Sequence, residues 1–497
     1  MKKNLKCLKP FGYCLLLSFL FLLICSKNSF LYQINTWKDA NAFFTVGKEM
    51  IRGGVPYKTI FEQKGPLLYI IYGIGSVLNF KSFGGVFVFE VLFFSIFLLY
   101  AHKTICLFIP ARKSYFLLPF LTLFIVTLKS FSQGGSAEEF ILPFMMITLY
   151  YFVSYLKTDQ PSISKKRIIL SGVMCGCVFW IKYTLIGLWF GFMASLFLIQ
   201  IINKRYKEAF LNCFLFLFGV LLASIPWLIY FAYHHAIKDL WNVYFLINIK
   251  AYPSGKVSFL KKLMKTGGLI AKNTFGSIPI FLGVVLGFLG ALQHQEAFKK
   301  KFSIFYLAFA YVTTGLFIFI GGTNYHYYSL PLSPFILVGL ILLFHDLPIR
   351  RQRERLSLFI VILVSLVASF YLSSNPRMIR NKKEDYAQYK FADIIKKKEN
   401  AIVLNYGFLD GGFYLTTESI PSFYHFMKTN IPYKNFPEEM DEQNRYIKEK
   451  IPDFVIVRNK LSKAQKKLLE SGYKKIASHA QNDGDREKSK YYLYEKK

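Results

Sequence analysis

Residues 165–205 read KKRIILSGVMCGCVFWIKYTLIGLWFGFMASLFLIQIINKR. Lys165, Lys166 and Arg167 open the stretch and Lys204 and Arg205 close it, leaving the apolar run Ile168 to Ile202 between two basic flanks. As one helix that run would extend about 52 Å, against about 30 Å of bilayer hydrocarbon. Lys182 stands near its middle. Two short helices with a turn near Lys182 fit better, and both basic flanks then lie on one side of a membrane.

Blocks of the same kind recur as far as Leu372. They occupy residues 11–31, 66–80, 86–109, 114–128, 140–156, 168–181, 184–202, 209–233, 274–292, 302–320, 330–344 and 356–372. Most are close to the ~20 residues a spanning helix needs. Hydrophobic residues make up 54% of the 497, which excludes an ordinary soluble protein. The 53 Phe and 33 Tyr suit helices packed in lipid with aromatic rings at both interfaces.

The positive-inside rule sorts these blocks by side. Lys and Arg collect at the N-terminus and in residues 111–113, 157–167, 203–207, 299–301 and 350–355. If residues 66–80 spanned, every later basic loop would change sides. That block is short, about 22 Å as a helix, and reads instead as a segment lying at the outer interface. About 11 spans remain, with the N-terminus cytoplasmic and the C-terminus outside. Lys2, Lys3, Lys6 and Lys9 before the first apolar run resemble a signal peptide, but no small-residue cleavage site follows. The segment reads as an uncleaved anchor.

The net charge of +33 follows largely from those basic loops and the C-terminal segment. No base-reading motif accompanies it, so nucleic acid is excluded as a partner and anionic or phosphorylated lipid is favoured. Cys7, Cys14, Cys25, Cys106, Cys175, Cys177 and Cys213 lie in or beside apolar blocks and outline no disulfide framework. Cys175 and Cys177 have neither redox nor zinc spacing, and helix packing is their plainer use.

After Leu372 the hydrophobicity collapses. The fold class is therefore an all-α polytopic membrane domain, residues 1–372, followed by an extracytoplasmic soluble α/β domain, residues 373–497. In the second, residues 401–406, 454–457 and 491–494 read as strands, and 386–397 and 462–471 as helices.

On the outer side, residues 32–64, 129–139, 234–273 and 321–329 come together with the turn at Lys182. The first carries Trp37, Lys38, Asp39, then Gly54-Val55-Pro56-Tyr57, then Glu62-Gln63-Lys64-Gly65-Pro66-Leu67. An acidic residue soon after the first helix, a Gly-x-Pro-Tyr turn and a Lys-Gly-Pro-Leu entry to an interfacial helix resemble the GT-C fold glycosyltransferases that use polyprenyl-phosphate sugars. The likeness is nearest to the protein O-mannosyltransferase and aminoarabinose-transferase branch, and the pair Tyr325-His326 falls where that branch has a comparable outer-loop element. Two positions depart from it: Asp39-Ala40 replaces Asp-Glu, and Lys64-Gly65-Pro66-Leu67 replaces Lys-Pro-Pro-Leu. Donor sugar and acceptor are not carried across.

Transfer from such a carrier needs a carboxylate to take the acceptor's proton, and Asp39 is placed for it. The leaving phosphate needs positive charge and hydrogen-bond donors, which Lys64, Lys182 and His326 could supply. Each residue also has a plainer reading. Asp39 could cap a helix, Lys64 could snorkel to lipid phosphate, and Lys182 could reach the outer water layer. A lysine within membrane depth costs about 2.5–3.5 kcal/mol unless it meets an anion, which favours a carrier phosphate for Lys182. Glu138 and Glu139 could simply favour a helix N-terminus, while the resemblance implies a second acidic residue here that bonds acceptor or sugar or helps hold a divalent metal. Which of the two acts is left open. The run Tyr325-His326-Tyr327-Tyr328 reads as binding phosphate or sugar through His326 between tyrosines, against the alternative of an aromatic belt, and Tyr57 joins it through its turn. No zinc-ligand spacing, glycine-rich nucleotide loop, Ser-His-Asp set or Walker motif occurs.

The resemblance thus implies an inverting glycosyltransferase, with a polyprenyl-phosphate-linked sugar as donor and an envelope glycan, lipid or protein as acceptor, working at the outer face of the cell membrane. A transporter or flippase would place polar residues along a path through the bilayer, whereas here they gather at one set of helix ends. A non-catalytic envelope assembly protein, or an envelope-glycan polymerase, would share the same architecture.

Overall fold

The computed structural model describes residues 2–250, 258–293, 297–345, 354–483 and 488–497. Most of the basic loop 350–355 and part of the segment 234–273 lie outside them.

The diagnostic stretch breaks after Lys182. Helix Lys165–Lys182 is followed by a 3-10 turn, Tyr183–Leu185, and by helix Gly187–Ile202. The first of these lies so close to helix Tyr206–Tyr233 that a Cβ on Gly172 would meet the Phe216 carbonyl oxygen at 2.1 Å. Glycine lets the two backbones touch, the device by which helices associate where no water drives them together. Phe210, Phe214, Leu217 and Ile229 of the long helix remain exposed. Such a surface suits lipid rather than water.

Five described helices are long and apolar enough to cross a membrane, and a sixth span is added if the bent pair Phe259–Phe275 and Ile278–Leu292 counts as one. Other apolar blocks form helices of 10–17 residues, among them Pro66–Leu78 and Ser303–Phe319. Residues His326–Phe335 wind as a 3-10 helix containing Pro331 and Pro334 before continuing as helix Ile336–His345. Proline and 3-10 geometry break up the apolar run 326–345. The chain is a multi-pass membrane protein by its apolar helices.

Helix Lys38–Ile51 and helix Pro66–Leu78 pack against each other. The first buries Ala42, Phe43, Val46 and Met50, an apolar stripe at helical spacing. The second has 13 residues, about 20 Å, and buries Leu68, Tyr69, Ile71 and Tyr72.

Beyond helix Glu354–Leu372 lies a small mixed sheet. Its strands are β1 (Val403–Tyr406), β2 (Phe454–Arg458), β3 (Tyr473–Asn482) and β4 (Lys488–Lys496), in the order β1-β2-β4-β3. β1 and β2 are parallel, with Leu404 opposite Val455, and the other pairs are antiparallel. Helices Ala387–Ile395 and Lys463–Gly472 stand where helices are expected from sequence. β3 and helix Glu438–Lys448 are additions. β3 is an edge strand with lysines and a bulge between Lys475 and Ala477, so it carries little apolar alternation. This sheet layer rests on helix Lys38–Ile51 and its flanks: Thr45 donates to Asp410 at 2.6 Å, Tyr389 to the Gln33 carbonyl at 2.6 Å, and Tyr424 to the Tyr57 carbonyl at 2.9 Å.

Candidate active site

Asp39 occupies the first turn of helix Lys38–Ile51, where the unpaired N–H groups and the helix dipole favour a carboxylate. Tyr327 donates to its Oδ2 at 3.2 Å, and the Trp37 ring meets the Tyr327 ring edge-on at 5.3 Å. Burial raises the pKa of Asp39 above the usual carboxylate value, opposed by Lys64 and the Tyr327 bond and reinforced by Glu62 and Glu138. The group is thus a carboxylate among other charges in a poorly solvated place.

Lys64 is held by its own backbone. Its N–H donates to Glu62 Oε2 at 2.7 Å, and its ammonium lies 3.8 Å from Glu62 Oε1 and 5.7 Å from the centre of the Phe43 ring. The next residue ties this segment to the Lys182 turn, because Gly65 N–H donates to the Ile181 carbonyl at 3.0 Å. A Cβ at position 65 would lie 1.9 Å from the Trp180 carbonyl oxygen. Proline there would lack the N–H and collide, which explains Lys-Gly-Pro-Leu in this chain.

Lys182 ends helix Lys165–Lys182 and points at Glu138, Nζ to Oε1 2.6 Å, while lying 3.9 Å above the Tyr328 ring centre. Ammonium, carboxylate and aromatic face satisfy one another in a buried setting. Glu138 and Glu139 are adjacent in sequence but diverge. Glu139 instead accepts from Gly135 N–H at 2.9 Å, closing the Gly134-Gly135 loop on the side where Glu90 accepts from Ser26 at 3.0 Å. Helical geometry puts successive side chains on different faces, so one carboxylate meets the lysine and the other braces the loop.

His326 is exposed and its ring nitrogen contacts Gln133, whose carbonyl accepts from Asn35 at 3.0 Å. Tyr325 stacks on Tyr327 with ring centres 5.8 Å apart. Tyr57 sits behind these groups, fully buried at φ +72°, its hydroxyl on the Lys64 carbonyl and its ring stacked against Phe231 and Tyr244. Its contacts hold Lys64 in place from the rear.

Lys64, Lys182, Gln63, Tyr244, Asn248 and Tyr328 line a cavity of about 130 Å³. Tyr327 and Tyr328 belong to the tyrosine run visible in the sequence, whereas Glu62 and Tyr244 were not expected at the site. Glu62 had a faint signal, a carboxylate two residues before Lys64. Tyr244 had none, since it arrives from a distant helix. Among the described residues no group of three His, Cys, Asp or Glu side chains is arranged to hold a metal ion.

Residues 2–385 match the family described as putative competence-induced protein Ccs4 N-terminal domain. No curated protein matches the sequence. Among solved structures, ArnT from Cupriavidus metallidurans bound to undecaprenyl phosphate superposes with a TM-score of 0.64 at 11% identity, over 97% of this chain and 98% of that one. The same protein in the apo state gives 0.59 at 11% identity, over 95% of each chain. At this identity the likeness establishes a shared fold.

Proposed function

We propose, for a chain that belongs to the family of the putative competence-induced protein Ccs4 N-terminal domain, that it is a glycosyltransferase using a polyprenyl-phosphate sugar. The observation that carries this reading is one carboxylate, Asp39, that feels the charge of Lys64, a residue that lines one small cavity together with Lys182. The neighbouring fold in complex with undecaprenyl phosphate supports a lipid phosphate as the anion. In this proposal residues 1–372 carry the chemistry in the membrane, residues 373–497 cover it from the extracytoplasmic side, and the N-terminus is cytoplasmic.

The step follows from the groups present. Asp39 takes the proton of an acceptor hydroxyl as its oxygen bonds to the anomeric carbon. The bond from that carbon to the phosphate oxygen breaks with inversion, and the lipid phosphate leaves as an anion. Lys64 and Lys182 stabilise the charge that develops on it. Glu138 keeps the Lys182 ammonium aimed before the donor arrives, Tyr57 fixes the Lys64 backbone, and Tyr325 and His326 line the sugar side. Glu139 acts at one remove, through the Gly134-Gly135 loop. The acceptor is an envelope glycan, lipid or protein.

Because Asp39 is held above its ordinary value, it is protonated, and lost as a base, at a higher pH than a free aspartate. Transfer should therefore fall as pH drops through that raised value. The test compares envelope glycans from cells expressing equal amounts of wild-type protein and Asp39→Asn. Loss of one sugar supports the reading, and identical glycans end it.

A further inference from the structure

A second and larger cleft, about 490 Å³, lies where the C-terminal sheet domain meets the membrane bundle. Three stretches distant in sequence wall it: residues 27–35, residues 79–84, and parts of 383–418. Four lysines line it, Lys27, Lys81, Lys383 and Lys396, against two carboxylates, Asp393 and Glu418. Lys81 from the bundle and Lys396 from the C-terminal domain converge on Glu418, at 3.2 and 2.6 Å. The two lysine side chains are 74% and 43% exposed, so both remain within reach of a second anion. Tyr32 and Tyr389 direct their hydroxyls to the Ile24 and Gln33 carbonyls, and their rings and the amides of Gln33 and Asn79 complete the lining.

We infer that this cleft binds an anionic glycan, a sugar chain bearing phosphate or carboxylate groups, and holds it beside the site of transfer. The inference deepens the proposed glycosyltransferase reading and rests on it for the site of transfer, though not for binding. Cationic groups set around a polar cleft match acidic substituents, while the amides and ring faces match the hydroxyls and apolar faces of sugars. Asn35 belongs to the wall of the cleft, and Asp39 follows four residues later, so chain geometry limits their separation to about 14 Å. A short oligosaccharide spans that distance.

The test measures retention of phosphorylated dextran, carboxymethyl dextran and neutral dextran by the purified full-length protein in detergent. Because the whole chain carries +33, any polyanion is attracted non-specifically, and the control must be a pair of lysines elsewhere. Replacing Lys81 and Lys396 together by Gln should weaken retention of an acidic dextran roughly fivefold, the effect of two exposed ion pairs. Lys463→Gln with Lys466→Gln, on helix Lys463–Gly472 and outside the lining of the cleft, should change it far less. Glu418→Gln should strengthen retention, because it frees both ammoniums, and a merely misfolded variant would not. Which acidic dextran responds tells phosphate from carboxylate. Equal loss in both lysine pairs, equal retention of neutral dextran, or weakened retention by Glu418→Gln overturns the inference. Asp39→Asn separates the two readings: it should leave dextran retention intact while removing the glycan product. Retention intact with an unchanged product would sink the transferase and spare the cleft.

Discussion

Both the Asp39 site and the seam beneath the C-terminal sheet bury ionisable groups, but they do so to different ends. At the seam Asp410 is wholly buried and accepts from Thr45 at 2.6 Å, Gly412 N–H at 2.9 Å and Asn405 at 3.2 Å. Its carboxyl is pushed up to about 6 by burial, and every partner is fixed protein. His425 nearby is buried among Phe61, Tyr424 and Phe436, and neither ring nitrogen has a hydrogen-bond partner. Around Asp39, by contrast, carboxylates face ammoniums that border a cavity. Burial of charge alone therefore does not mark a site; the proposed one adds opposite charge beside open space.

The largest expected effect breaks this contrast at its centre. Asp39→Asn should lower transfer by about 10²–10⁴, the usual contribution of a positioned base, with little change in melting temperature. Asp410→Asn should do the reverse, moving melting and sparing chemistry. If the two variants affected rate and melting alike, the distinction would be lost.

Lys182→Gln removes an ammonium and leaves Glu138 buried without its partner. The donor KM should rise by about tenfold or more, because a charge-assisted contact to phosphate is lost. Glu139→Gln should leave that KM within about twofold, since its carboxylate braces a loop. A larger rise with Glu139→Gln would reverse the assignment of the two neighbours.

At the seam, burial lowers His425 to about 4 from 6.5, so below pH 6.5 the unfolded chain binds a proton that the folded chain does not. That costs stability, fully felt near pH 4 and absent above about pH 7. His425→Phe should therefore stabilise the protein by about 2 kcal/mol at pH 5 and by little at pH 7.5, read from melting at both values. Asp410 has the opposite sign, since its raised value makes stability decline as pH rises from about 4 to about 6.

Tyr327→Phe is the finest probe. It removes the 3.2 Å bond that favours ionised Asp39, so the acidic limb of the rate profile should move up by less than about one pH unit. An unmoved limb would mean that the titrating group is not Asp39.

Much of this arrangement could be read in the chain. Basic flanks around an overlong apolar run called for the break that occurs at Tyr183–Leu185, and short apolar runs marked β1 and β2. Asp39, Lys64, Lys182 and the tyrosine run were visible as polar residues at apolar-block ends. Polar edge strand β3 and the charged helix Glu438–Lys448 were not, because neither carries the apolar periodicity that betrays an element.

Hydrophobic length and charge act locally along the chain, so the residues alone specify apolar helices followed by a small C-terminal sheet with its helices. Which neighbour of the Glu138-Glu139 pair meets Lys182, why Gly65 must be glycine, and that Tyr57 lies behind Lys64 are matters of direction and close approach. They arise between segments far apart in sequence, where a rotation of one helical position sends a side chain to another face, and no linear pattern records that rotation.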